Sequence, residues 1–139
     1  MKKIILITAL LFSASLLAAQ TGSWKIKINN KTILTTSRED TTKNRKTIRL
    51  TEWKKRGNLE IFFLEDDKDT WVRSFLFYDR ADNEIFKKDS STHVKIPIQK
   101  LKKLFAGKKE IIIYTTISPI DPTIAIRMRR VHLCTLRLP

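Results

Sequence analysis

Short alternations of apolar and polar residues dominate the chain after residue 20, and they predict β-strands. Trp24, Ile26 and Ile28 alternate with lysines, and this spacing of two places apolar and polar side chains on opposite faces of a strand. Comparable strand-like runs, separated by polar turns, recur over 47–53, 59–64, 71–79, 93–96, 110–117 and 124–138. The pattern predicts about seven to nine short strands.

One segment, residues 97–106, has helical rather than strand spacing. Pro97 is typical of a helix start and Gly107 of a helix end. The apolar residues of the segment fall on one helical face: Ile98, Leu101, Leu104 and Phe105. Since a helix of about ten residues does not persist alone in water, we expect this one to dock on a sheet.

The order of these elements favours an all-β fold, an antiparallel β-sandwich with an immunoglobulin-like arrangement as one option and an open barrel as the alternative. A parallel α/β fold would need crossover helices that the sequence lacks. Residues 35–46 contain no apolar side chain. We therefore predict an exposed loop there, with nothing to anchor it to a core.

The first 19 residues have the layout of a secretory signal peptide. Lys2 and Lys3 precede a mostly apolar run over 4–17, and Ala18 and Ala19 supply small residues for cleavage. A run of 14 residues is short for a spanning helix, which needs about 20. We expect cleavage after Ala19, export to the periplasm or beyond, a single domain over 20–139, and no transmembrane segment in the mature chain.

Charge is the strongest functional signal in the sequence. The chain has 28 lysines and arginines against 14 acidic residues, a formal charge of +14, and removing the signal peptide leaves +12. Such a field attracts anionic partners, here an envelope polysaccharide, a lipid headgroup or an acidic protein. No specific nucleic-acid module is recognisable. The candidate binding residues are Lys54, Lys55, Arg56, Arg127, Arg129 and Arg130. The alternative is that the positive charges are spread evenly over the surface and form no localised binding site.

Composition excludes several kinds of site. One cysteine and two histidines can form neither an internal disulfide nor a four-ligand zinc site of the usual kind. Three isolated glycines leave no glycine-rich phosphate loop. We therefore expect no cofactor.

The final strand allows two interpretations. With strict alternation, Met128, His132 and Cys134 share one face and form a soft-metal site for copper. With a β-bulge near Arg129 and Arg130, Val131 and Leu133 turn inward instead, while Arg130 and His132 turn outward. The second interpretation leaves no metal site on this strand.

The sequence as a whole favours an exported, non-catalytic binding domain of the cell envelope. The alternative is an envelope hydrolase or copper-binding protein that uses His93, His132 and Cys134. Burial of Cys134 in the core would oppose this alternative, whereas a shared, water-accessible pocket would support it.

Overall fold

The computed structural model describes residues 22–65, 71–89, 91–125 and 128–139. The predicted signal peptide and Arg127 lie outside these ranges. The described residues form nine strands: β1 (Ser23–Ile28), β2 (Lys31–Thr36), β3 (Arg45–Thr47), β4 (Asn58–Leu64), β5 (Trp71–Tyr78), β6 (Glu84–Lys88), β7 (His93–Pro97), β8 (Glu110–Pro119) and β9 (Val131–Arg137). Two short helices accompany them: α1 (Leu50–Lys54) and α2 (Ile98–Leu104).

The strands form two sheets that pack against each other, which confirms the predicted all-β sandwich. The first sheet has the order β2-β1-β4-β7 and the second the order β3-β9-β8-β5-β6. Neighbouring strands run antiparallel except β3 and β9, which are parallel. The nine strands equal in number those of a variable-type immunoglobulin domain, whereas the constant type has seven. Within the described ranges, no helix is long and apolar enough to cross a membrane.

Alternation along the strands builds one core between the sheets. Trp24, Ile26 and Ile28 of β1 face inward, and Phe75 and Phe77 of β5 meet them from the second sheet. Burial of each such side chain contributes about 1.5–3 kcal/mol. The predicted helix is present as α2, and its buried residues Ile98 and Leu101 close one end of this core.

The predicted strand over 47–53 is wrong beyond Thr47. The amide of Ile48 still donates to the carbonyl of Arg137, at 2.9 Å, but β9 ends at that residue and offers no further partner. The chain turns instead into α1, which packs Trp53 against the core and leaves Leu50 exposed. Alternation over so few residues does not distinguish a strand from one helical turn.

The expectation that nothing anchors residues 35–46 is also wrong, because polar groups anchor them. Asn44 is buried, its side chain donates to the carbonyl of Arg38, and its own carbonyl accepts from the amide of Thr135. Glu39 accepts from the amide of His132. Hydrogen bonds of this kind satisfy buried backbone groups and fix a loop without any apolar contact.

The final strand contains a bulge at Leu133, and the predicted position near Arg129 and Arg130 is wrong because both residues precede β9. Tyr114 pairs with His132 and Ile113 with Cys134, so Leu133 is the extra residue of β9. Leu133 and Cys134 are both buried, as expected for side chains turned inward. His132 shares the outer face with Tyr114 but is buried rather than exposed, because the 37–44 segment bonds to β9 on that side.

Candidate functional site

The two ends of the sandwich differ in the residues they carry. At one end β9 finishes, β8 begins and α2 passes from the first sheet to the second. The hydrogen bond from Ile48 to Arg137 attaches the β3–α1 segment to the same end. We call this the basic end.

An open cavity of about 470 Å³ lies at the basic end. It brings together residues that are distant in sequence, from β3, the β5–β6 turn, the start of β8 and the end of β9. Glu110 is the one acidic residue among the described lining residues. Five cationic side chains line the cavity: Arg45, Arg80, Lys108, Lys109 and Arg137. We call this cavity the basic pocket.

Strand pairing places Arg45 and Arg137 on the same side of Glu110, because β9 lies between β3 and β8. β3 runs parallel to β9 with Arg45 level with Thr135, and β8 places Glu110 opposite Arg137. The Glu110 side chain is 10% exposed, and its carboxylate lies 2.9 Å from the guanidinium of Arg45. Glu110 thus neutralises and orients one cation of the pocket.

Asp79 performs the same role for Lys108. Its side chain is 2% exposed and accepts from Lys108 Nζ and from the backbone amides of Ala81 and Asn83, each at 2.9 Å. The bond from Lys108, followed by those from Asn83, lowers the pKa of Asp79 well below its usual range. These bonds fix the turn that carries Arg80 to the rim of the pocket.

Three cations of the basic pocket have no carboxylate partner among the described residues: Arg80, Lys109 and Arg137. All three are exposed, so their charge is available to a ligand. Arginine offers paired donors that match the two oxygens of a carboxylate, phosphate or sulfate group, and lysine adds a mobile point charge. The arrangement suits an anion with several oxygens.

The residues predicted as the binding site do not form one surface. Lys54, Lys55 and Arg56 lie at the end of α1 and just after it, on the basic end. Arg130 directly precedes β9, at the other end of a strand of seven residues. A strand of that length spans roughly 20 Å. Residues 54–56 and Arg130 therefore cannot contact the same small anion.

Ion pairs already engage several of the predicted residues. Lys55 lies 3.2 Å from Glu52, and Arg129 pairs with Glu39. Arg130 pairs with Asp82 at 3.0 Å, and its guanidinium packs over the rings of two tyrosines, Tyr78 and Tyr114. These contacts give Arg129 and Arg130 a role in holding the β8–β9 connection. Lys54 and Arg56 are exposed and have no acidic partner within the described ranges.

The thiol and imidazole groups of the alternative hypothesis do not converge. Cys134 is 0% exposed, and burial raises the pKa of its thiol to about 12, so it is neither a ready nucleophile nor an accessible ligand. His93 lies on β7 of the other sheet, where it stacks on Phe62. Met128 is 60% exposed. Across the described parts of the chain, no three histidine, cysteine or acidic side chains lie close enough to hold a metal ion.

Buried His132 gives stability a pH dependence. Its Nε2 lies 2.8 Å from Thr135 Oγ1, while Nδ1 has no partner among the described residues. Burial lowers the pKa of His132 below its ordinary 6.5, although Glu39 and Asp40 oppose this shift. The unfolded chain therefore binds more protons near pH 6, and the folded state loses stability as the pH falls below about 6.5.

We expect the free energy of unfolding to decrease between about pH 7 and pH 5, by at most about 1.4 kcal/mol per pH unit for one proton. Urea titrations at several pH values measure this slope. His132→Gln should flatten it, because glutamine does not titrate in this range. An unchanged slope in His132→Gln would assign the effect to other groups.

Sequence reasoning missed Arg80 and Arg137, the two arginines of the basic pocket that lack a carboxylate partner. Each is an isolated cation in sequence, so neither belongs to a basic run. They meet Lys109 through the antiparallel pairing of β8 with both β5 and β9. A correct strand register was the one signal that could have revealed the pocket.

Comparison with known proteins gave no match to this chain. No family model, no curated protein and no solved structure is significantly similar to it.

Proposed function

We propose that this protein is an exported, non-catalytic binding domain that captures an anionic component of the cell envelope at its basic pocket. The observation that supports the proposal most directly is the convergence of five cations, three of them without a carboxylate partner among the described residues, around one open cavity. The shared chemistry of the ligand is a group of oxyanions, as in acidic polysaccharides and lipid headgroups.

The charge balance at the basic end reinforces the pocket. Lys54 ends α1 and Arg56 lies just after it, and Lys100 and Lys103 are exposed on α2, so further cations surround the same end. Glu52 and Glu110, by contrast, are held by cationic partners. A concentrated field of one sign raises the encounter rate of an anionic partner and orients its approach.

A hydrolase or a copper-binding protein is the less favoured function. Both would use Cys134, which is buried between the sheets. They would also use His93 and His132, which lie in different sheets. The binding function requires no side chain to leave its observed position.

The test uses the triple variant Arg80→Gln, Lys109→Gln and Arg137→Gln. On a sulfated-polysaccharide column, we expect this variant to elute at clearly lower salt than the parent protein. The slope of log affinity against log salt should fall by about two to three, one for each lost contact. Co-sedimentation with phosphatidylglycerol vesicles, run in parallel, distinguishes a lipid headgroup from a polysaccharide.

A matched control removes the same charge elsewhere. Lys25, Lys88 and Lys95 are exposed residues of β1, β6 and β7, and changing all three to glutamine leaves the pocket intact. If binding depends on the pocket, this control keeps most of its affinity. Equal losses in the two triple variants would instead indicate an even coat of charge and would overturn the proposal.

A further inference from the structure

β2 differs from the other strands that form sheet edges. β7 carries Lys95 and ends at Pro97, β6 carries three charged residues, and β3 is three residues long. After Lys31, by contrast, β2 reads Thr-Ile-Leu-Thr-Thr, with neither charge nor proline. Charges, prolines, bulges and short length are the usual protection of an edge against pairing with another chain, and after Lys31 the β2 strand has only a bulge.

A groove lies beside β2, where the edges of the two sheets leave a gap. Its volume is about 250 Å³, and β2 lines one wall while the segment from β3 to α1 lines the other. Buried Ile28 and Ile48 and partly buried Ile33 form its apolar surface. A cavity of this size and composition fits one branched or aromatic side chain.

A bulge places Ile33 at this groove. Ile26 pairs with Leu34 and Lys27 with Thr32, so Ile33 is the extra residue of β2. Bulges re-aim a side chain and interrupt the hydrogen-bond ladder. An added strand would therefore pair on either side of Ile33 rather than along the whole of β2.

The polar rim of the groove is positive. Lys31, Lys46 and Arg49 line it, together with one acidic residue, Glu52. The carboxylate of Glu52 is engaged by Lys55 at 3.2 Å and by the side-chain amide of Asn29 at 2.8 Å. The complementary ligand thus carries negative charge beside an apolar side chain.

We infer that the β2 edge and this groove form a second binding site, which takes an extended acidic segment of a partner protein by strand addition. The backbone of the segment would pair with the outer edge of β2, and one of its apolar side chains would enter the groove beside Ile33. Its carboxylates would meet Lys31, Lys46 and Arg49. Backbone pairing provides affinity in this mode of recognition, and the pocket provides selectivity.

The test is an NMR titration of the isotope-labelled protein with a short acetylated peptide of alternating aspartate and valine. We expect amide shifts confined to β2 and the residues around the groove. A peptide with lysine in place of aspartate should bind at least about tenfold more weakly, because the rim is positive. Equal binding of the two peptides, or shifts centred on Arg80 and Arg137, would overturn the inference.

Two variants separate this site from the basic pocket. Ile33→Ser removes the apolar contact without changing charge, and we expect about tenfold weaker peptide binding with unchanged retention on the anionic column. Conversely, the triple variant of the basic pocket should keep peptide binding within about threefold. A thermal melt of Ile33→Ser verifies folding. Full peptide affinity in a folded Ile33→Ser protein would contradict the role of the groove.

Discussion

Replacing Glu65 by leucine is expected to destabilise the protein by about 3–5 kcal/mol, because it leaves a buried arginine without its counter-ion. Arg73 and Glu65 are 8% and 10% exposed, and their charged groups lie 2.7 Å apart. The guanidinium also donates to Thr115 Oγ1 at 3.0 Å and lies 3.5 Å from the centre of the Phe63 ring. Without Glu65 the charge keeps these neighbours but loses the group that compensates its desolvation.

A double-mutant cycle isolates the contribution of this pair. Arg73→Met should destabilise the protein to a similar extent, since it leaves the Glu65 carboxylate buried without its partner. In the double variant Arg73→Met/Glu65→Leu no charge remains to be compensated, and we expect a loss well below the sum of the two single losses. Urea unfolding of the four proteins gives the coupling energy. Additive losses would show that the two charges act independently.

Replacing Trp24 by alanine should cost about 3–5 kcal/mol of the free energy of unfolding, the range for removal of a large core aromatic. Trp24 of β1 is buried, and its ring stacks on Phe63 with centroids 5.8 Å apart. Its indole Nε1 donates to the carbonyl of Leu133, at 3.1 Å. This side chain therefore packs within the core and joins the first sheet to the second by a hydrogen bond.

Trp24→Phe separates the two contributions. The variant keeps an aromatic ring next to Phe63 but leaves the Leu133 carbonyl without its donor, and we expect a smaller loss of about 1–3 kcal/mol. Chemical denaturation measures both variants under identical conditions. If phenylalanine were as harmful as alanine, the hydrogen bond rather than the packing would dominate.

The parts of the fold that the sequence predicted are those governed by local periodicity. Alternation in β1 and the aromatic, β-prone residues over 71–79 are strong enough to identify strands, and the spacing of Ile98 and Leu101 identifies α2. The prediction failed over 47–53, where alternation over a few residues also fits one turn of helix. It failed again at Asn44, because a polar residue anchored by hydrogen bonds has no hydrophobic signature.

The candidate site was predictable only in its general character. Net charge indicated an anionic partner, but basic runs such as Lys54–Arg56 mark turns and do not indicate which turns meet in space. The basic pocket depends on the pairing of β8 with β5 and β9, which is a non-local property. For the same reason, neither the pairing of Arg130 with Asp82 nor that of Arg129 with Glu39 could be read from the sequence.

Because Cys134 is buried, its reaction with a thiol reagent reports how often the two sheets separate. This single thiol is enclosed by both sheets, so a water-soluble thiol-alkylating reagent reaches it only when the layers separate. Modification of this atom proceeds at its intrinsic rate multiplied by the open fraction when closing is faster than alkylation, and at the rate of opening when closing is slower. Burial also prevents Cys134 from forming an intermolecular disulfide with a second copy while the two sheets remain packed.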